Sequence, residues 1–224
     1  MKKIEEEKKN LKNFSSLKEI VDHVKNSGHV KFNESIDIAI GLGINSKKTD
    51  ENIRGSFILA NGIPKKLKIA VFASSLEQDI ARKAGADVVG LEDLVEEIKK
   101  KEKVDFDVYF ATIEALPKII PIAKILGQSG VMPNKKDGTV TNDIAKSIKE
   151  VKEGKKCVFR SDSSGYIHLR IGKSDIDTEK ICENIMDFVN YVRTLKPPKV
   201  KEMIKKVHIS STMGMGLNIN LKYL

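Results

Sequence analysis

The pattern of periodicities predicts an α/β chain of two domains: a discontinuous α+β domain formed by both chain ends, residues 1–63 and 155–224, and an inserted three-layer Rossmann-like α/β domain, residues 64–154. Three observations carry that reading. From Lys66 to Glu153, short apolar runs alternate with amphipathic helical stretches, the grammar of a small open sheet with helices on both faces. Before and after it, the strands alternate apolar with polar residues, and neither outer segment holds enough elements to cover its own strands. The charge divides along the same lines: residues 1–63 and 155–224 hold +8 of the net +9, and residues 64–154 hold +1. Gly62 and Gly154 mark the expected crossings.

The elements follow in chain order. Ser16-x-x-Glu19 is a capping box, with Leu17, Ile20, Val21 and Val24 at helical spacing, so the first helix runs to Asn26 and ends before Gly28. Ile36, Ile38, Ile40 and Leu42 alternate with Asp37, Ala39 and Gly41, which is a strand with one buried face. A polar loop, Asn45 to Asn52, leads to a second strand near Arg54 to Leu59, closed by Asn61, Gly62 and Pro64. Ile69 to Phe72 is a continuous apolar strand, Ser75-x-x-Gln78 caps a helix stopping at Gly85, Val88 and Val89 follow, and Leu91 to Lys101 is helical. Val108 to Ala111 is the next strand, before a helical stretch holding Pro117 and Pro121 and a helix from Asp143 to Glu153.

Past Gly154, Cys157 to Arg160 and Tyr166 to Ile171 bracket Ser-Asp-Ser-Ser-Gly and read as a hairpin. Asp177 caps a helix whose Ile181, Ile185, Phe188, Val189, Val192 and Leu195 share one face until Pro197-Pro198 stops it. Two strands, Val207 to Ser210 and Leu217 to Tyr223, flank the segment SSTMGMG.

Composition bounds the function. At 40% hydrophobic and 32% charged over 224 residues the chain is globular, and no apolar run approaches a bilayer span, so no membrane partner is expected. The opening MKKIEEEKKN lacks an apolar stretch behind its basic start; no signal peptide is expected and a cytoplasmic location is the default. The mixed-charge run from Lys2 to Lys12 reads as a solvated end. Cys157 and Cys182 fit no metal spacing and read as reduced thiols. His23, His29, His168 and His208 are scattered, and no nucleophile elbow, zinc motif or Gly-rich first turn occurs, so neither catalysis nor a cofactor is expected.

The uneven charge points to a phosphate-bearing partner for the outer domain, against the alternative of a generally basic surface. At the SSTMGMG turn, Ser210, Ser211 and Thr212 supply hydroxyls, Gly214 bares its amide, and Met213 can lie against a sugar or base, which suits RNA read by shape. From residue types alone, plain turn geometry at Gly214 and Gly216 is the favoured explanation. Lys31 beside Phe32 suits phosphate pairing plus stacking, although a lone Phe is more often core. Gly127-Gln-Ser-Gly130 imitates a GXXG clamp or a phosphate loop, but the strand and helix order around it is wrong for both. Leu126 to Thr141, carrying Lys135 and Lys136, reads as too polar and punctuated for a core element.

LGQSGVMPNKKDGTVT from Leu126, SSTMGMG from Ser210, KFNESIDIAIGLGINSKKTDENIRGSF from Lys31 and FRSDSSGYIHLRIGK from Phe159 together resemble the large-subunit ribosomal protein family conventionally numbered one, in its bacterial form. The resemblance covers nearly the whole chain. Where the family usually carries Pro and Arg in the first segment this chain has Gln128 and Ser129, and Met215 stands where it carries Pro. The resemblance implies a structural protein that binds large-subunit rRNA at the lateral stalk, assists release of deacylated exit-site tRNA, represses its own messenger RNA, and is a monomer off the ribosome. It implies RNA contacts at Lys31, Phe32, Glu34, Arg160, Asp162, His168, Lys173, Ser210, Ser211, Thr212, Met213 and Gly214, reversing the preference for plain turn geometry. The rival reading is a free nucleotide-binding enzyme built on the middle α/β unit.

Overall fold

In a computed structural model, the residues described are 14–28, 30–44, 48, 51–63, 67–101, 104–141, 143–198, 200 and 202–224. The charge run Lys2 to Lys12, His29, Pro64 and most of the loop Asn45 to Asn52 lie outside them. The architecture is mixed α/β, with a four-stranded sheet in the order β7-β1-β8-β9, a two-stranded ribbon β2-β6 and a three-stranded sheet β4-β3-β5. Their spans are β1 (Ser35–Leu42), β2 (Arg54–Ile58), β3 (Ile69–Phe72), β4 (Val88–Gly90), β5 (Val108–Ala111), β6 (Lys156–Arg160), β7 (Tyr166–Lys173), β8 (Ile204–Ser211) and β9 (Leu217–Ile219). Backbone proximity divides the chain into two units: Met1–Ile53, Leu59–Ile63 and Phe159–Leu224 form one, and Arg54–Ile58 with Pro64–Val158 the other.

In the first unit β1 is central and antiparallel to both neighbours, with Ile36, Ile38 and Ile40 wholly buried on one face beside Ile167, Ile171, Val207 and Ile209. Two helices cover that face, α1 (Leu17–Asn26) and α7 (Thr178–Thr194). The Ser16 hydroxyl accepts the Glu19 N–H at 3.3 Å while the Glu19 carboxylate accepts the Ser15 N–H at 2.9 Å, so side chains satisfy amides that a helix start leaves unpaired. Helix α7 presents Ile181, Ile185, Phe188, Val189 and Val192, all fully buried, and Phe159 meets Phe188 edge-on at 5.4 Å. Asn184, also fully buried, accepts the Asn61 N–H at 3.0 Å and donates to the carbonyls of Asn61 and Ile171. That clamp holds the segment Leu59–Ile63 to the helix.

The second unit holds the parallel sheet, β3 between β4 and β5. Its strands are buried on both faces: Ala70, Phe72, Tyr109 and Ala111 face one cluster with Leu94, Ile119, Ile122 and Leu126, while Ile69, Val71 and Phe110 face another with Ala81, Ile144 and Ile148. Helices α2 (Ser75–Lys83) and α6 (Ile144–Lys152) supply the second cluster. The first receives α3 (Glu92–Lys101), α4 (Leu116–Ile119), a 3-10 turn (Ile120–Ile122) and α5 (Ala123–Gln128).

Four expectations need correction. The cap of α2 is Ser74 in extended backbone, not Ser75: Ser74-x-x-Glu77 fits the capping-box pattern, and the Ser74 hydroxyl donates to the Glu77 carboxylate at 3.4 Å. Cys157 to Arg160 and Tyr166 to Ile171 are not paired strands: β6 pairs with β2 and β7 with β1, and the turn between them is closed by the isolated bridge Ser161 to Ile167 and by the Asp162 N–H donating to the Tyr166 carbonyl. The last strand stops at Ile219, and Leu221–Tyr223 forms a 3-10 turn capped by the Asn220 side chain. Leu126 to Thr141 is not wholly outside the core, since Leu126 is fully buried, Asp137 is 5% exposed, and Val140 bridges in parallel to Ala111.

Candidate nucleic-acid interface

The face of the four-stranded sheet opposite α1 and α7 is polar. Alternation along β7, β1 and β8 lines it with Tyr166, His168 and Arg170, with Asp37, Ala39 and Gly41, and with Lys206, His208 and Ser210. Register sets these in rows: Arg170, Asp37 and Ser210; His168, Ala39 and His208; Tyr166, Gly41 and Lys206. Burial raises the Asp37 carboxyl above its usual range, against the pull of Arg170 and His168.

One end of this sheet carries the SSTMGMG turn. The Glu34 carboxylate, 3% exposed, accepts the Met213 N–H at 2.8 Å, and its backbone N–H donates to the Ser174 hydroxyl at 3.2 Å. Thr212 Oγ1 accepts the Ser35 N–H at 3.1 Å and donates to the Ser35 carbonyl at 3.3 Å. Ser211 is buried, and its hydroxyl accepts the Gly214 N–H at 3.0 Å. The turn is thus fastened from beneath by one carboxylate and two hydroxyls, leaving Met213 63% exposed and, just before β1, Phe32 56% exposed. A Phe that exposed has no role in this chain's core, which removes the bland explanation for it.

The glycines separate by mechanism. Gly214 is not in the left-handed region, but a Cβ there would come within 2.3 Å of Ser211 Oγ and 2.8 Å of Ser27 Oγ, so close approach and not turn geometry demands it. Gly216 meets nothing closer than 3.8 Å, and no contact requires glycine there. Met215 is buried at 6% exposure.

The structure does not gather all the sequence-derived residues at one place. Lys173 pairs in register with Ser35, so Lys173, Lys31, Phe32, Glu34 and Ser210 to Gly214 share the turn end of the sheet. His168 lies mid-sheet opposite Ala39. Arg160 and Asp162 lie at the far end, where Asp162 receives the Tyr166 N–H at 2.7 Å and Tyr166 pairs with Gly41, roughly 20 Å along the strand from Ser35 at the usual rise per residue. The Tyr166 amide, with smaller contributions from Ser164 and His168, holds the Asp162 carboxyl below its usual range. Tyr166, Arg170, Lys206 and His208 were absent from the sequence-derived set. The same alternation used for Ile36 to Leu42, applied to β7 and β8, would have found them.

In the second unit the loop after α5 is tied down as well. Arg54 makes a two-pronged ion pair with Asp137, Lys156 Nζ donates to the Gly138 carbonyl at 2.6 Å, and Thr139 Oγ1 accepts the Asn134 N–H at 2.8 Å. Burial lowers the Lys156 ammonium below its usual range. Lys135 and Lys136 stay exposed at the tip. Gln128 closes α5 and Ser129 is its C-cap, followed by Gly130 at φ +73°. The GXXG-like stretch is therefore a helix end.

No group of metal-ligating side chains occurs among the described residues, and no helix among them is long and apolar enough to cross a membrane. The family model described as "Ribosomal protein L1p/L10e family" matches residues 17–215. The chain is 46% identical over 221 residues to "Large ribosomal subunit protein uL1" of Buchnera aphidicola subsp. Acyrthosiphon pisum (strain Tuc7), covering 98% of this chain and 94% of that one. A protein of the same name from Wolbachia pipientis wMel is 45% identical over 204 residues, covering 91% and 92%. Another from Thermosipho africanus (strain TCF52B) is 42% identical over 205 residues, covering 91% and 88%. With the family match running from the first described helix into the SSTMGMG turn, this chain belongs to the ribosomal protein L1p/L10e family.

Proposed function

We propose that this chain is a structural constituent of the large ribosomal subunit that binds large-subunit rRNA through the turn end of its four-stranded sheet. The family is a structural, non-enzymatic one, and its bacterial members are ribosomal and cytoplasmic. The observation that carries the site is exposed Met213 on a turn locked by Glu34, Ser211 and Thr212, with Phe32 exposed just before β1, in the segments with the excess of Lys and Arg. A fixed turn offering an apolar side chain, with an exposed ring before β1 and cations in the same segments, fits folded RNA, which is recognised by shape, stacking and phosphate contacts. Lys31 and Lys173 serve the phosphates, Ser210 and Gly214 allow close approach, and Glu34 and Ser211 act by holding the turn.

The finer role is the family's lateral-stalk one. Residues 1–63 and 155–224 act as the RNA-binding domain, and the inserted domain, residues 64–154, assists release of deacylated tRNA from the exit site. Off the ribosome the protein is a monomer and represses its own messenger RNA through a segment that copies the rRNA site. The enzyme reading loses ground because the turn after β3 is Ala73-Ser74-Ser75, without the glycines a nucleotide's phosphates need. The test is co-sedimentation of the native protein with large ribosomal subunits on a gradient, followed by release with salt. Co-migration that falls with salt, about 0.7–0.9 log units of affinity per log unit for each phosphate neutralised, supports the reading. A protein that stays at the top of the gradient, or binds independently of salt, overturns it.

A further inference from the structure

The parallel sheet of the second unit ends at β5, whose outer edge is only partly covered. Val108 and Thr112 donate their N–H groups toward β3, to the carbonyls of Lys68 and Phe72 at 3.2 and 3.1 Å. In a parallel ladder alternate residues point their backbone groups to opposite sides, so those of Tyr109 and Ala111 point outward. Ala111 is met there by residues 139–141: its N–H donates to the Thr139 carbonyl at 3.0 Å, and its carbonyl accepts the Thr141 N–H at 3.2 Å. Tyr109 is not met, because the chain just before Thr139 is folded into a turn that Gly138 closes at φ +64°, its N–H on the Lys135 carbonyl.

Beside that uncovered stretch lies a cavity of about 280 Å³, lined by residues of the second unit. Its apolar walls are Val131 and Met132 from one face of the sheet, Val151 from the other, and Val158, which is 48% exposed. Lys156 is the only cation among the described residues that line it. The ammonium gives one hydrogen to the Gly138 carbonyl at 2.6 Å and stands 5.6 Å from the centre of the Phe110 ring, which leaves two hydrogens unspent. Burial draws it below its usual range against the opposing pull of Glu150, the mark of a charge with too little counter-charge. The carboxylates of the lining are engaged elsewhere, Asp137 by Arg54 and Asp107 by the Lys68 N–H at 3.0 Å.

We infer that this cavity binds a small carboxylate carried on an apolar chain, with the carboxylate on Lys156 and the chain among Val131, Met132, Val151 and Val158. The walls and the cation together select that class. An inorganic anion would leave the apolar walls unused, and a neutral hydrocarbon would seal Lys156 away from water without a counter-charge. A carboxylate supplies a charge-assisted hydrogen bond to the ammonium, and the Tyr109 N–H is a second donor along the same edge. The volume lies at the small end of ligand pockets and suits a chain of about six carbons.

Hexanoate is therefore the probe, titrated into the isotope-labelled full chain, with acetate and hexanol as controls that carry the charge alone or the chain alone. Hexanoate should shift the amide signals of Tyr109, Val131, Met132 and Val158 and saturate with a dissociation constant on the order of 1 mM, each control binding at least about tenfold more weakly. Lys156→Gln keeps a donor for the Gly138 carbonyl but no charge, and should weaken hexanoate about tenfold. If that variant fails to fold by circular dichroism, Val158→Phe replaces it: the site is exposed enough to accept the ring, which should fill the cavity and block the probe. Unmoved amide signals up to about 20 mM hexanoate overturn the inference. So does acetate or hexanol binding as tightly as hexanoate, or parent-like binding by the folded variant.

Discussion

The two sheets of this protein bury their strands differently, and the difference locates function. The parallel sheet β4-β3-β5 is covered on both faces, so β3 reads as the unbroken apolar run Ile69 to Phe72 and offers only its ends and loops to a partner. The antiparallel sheet around β1 is covered on one face, so each strand alternates and the free face displays Arg170, His168, His208 and Lys206. One sheet is a scaffold. The other is a scaffold and a surface, and the turn that joins β8 to β9 lies at its edge.

Substitutions that treat the sheets alike should separate them most strongly. Val71→Asp puts an unpaired carboxylate into a strand enclosed on both sides and should cost about 4 kcal/mol or more, enough to remove the cooperative urea transition of that unit. Ala39→Asp, on the open face, should change stability by about 1 kcal/mol or less in the same urea titration. Equal losses would mean that the open face is not open in solution.

A smaller effect probes how the outer segments are tied. Asn184→Ala leaves the Asn61 N–H and the carbonyls of Asn61 and Ile171 without their partner, and should cost about 1–3 kcal/mol by chemical denaturation. Asn184→Asp retains only the acceptor and adds a buried charge, so it should be no better than Ala at neutral pH.

The smallest effects come from two carboxylates, Asp37 on the open face and Asp162 in the turn before β7, and they should have opposite signs. Asp162 titrates below its usual range in the fold, so its stabilisation is present above the unfolded value of about 3.9 and is lost as pH falls through the lower folded one. Asp162→Ala should therefore be less stable than the parent at neutral pH and converge with it in acid. Asp37 titrates above its usual range, so the stabilisation it gives exists below about 3.9 and is lost as pH rises through the folded value. Asp37→Asn should be slightly more stable than the parent at neutral pH and show no gain in acid. Denaturation midpoints at the two pH values check both signs.

How much of this was readable from sequence follows from what each feature depends on. The strand Ser35–Leu42 and helix Leu17–Asn26 were legible because alternation and a capping box are local. The supposed hairpin after Gly154 was not, since Ser-Ser-Gly specifies a turn but cannot say that β6 pairs with a strand 100 residues earlier. Ser74-x-x-Glu77 and Ser75-x-x-Gln78 both fit a capping box, and the fold takes the first. Phe32 and Met213 were found through the family's motifs. The task of Glu34 was hidden, because its carboxylate bonds an amide 179 residues away. Arg170, Lys206 and His208 were hidden for a related reason, as their shared face exists only once β1 sets the register of β7 and β8.

The central claim is that rRNA is held at the Thr212 to Gly214 turn and not at the tethered loop of the other unit. Filter binding of a stalk-base rRNA fragment to Met213→Asp and to Lys136→Ala tests it directly, because both residues are exposed and neither change should disturb folding, which circular dichroism verifies. Met213→Asp places a carboxylate against RNA and should lose about 2–3 kcal/mol of affinity, while Lys136→Ala removes one loop charge and should lose well under about 1 kcal/mol. A Lys136→Ala loss equal to or larger than that of Met213→Asp would contradict the account and move the contact to the other unit.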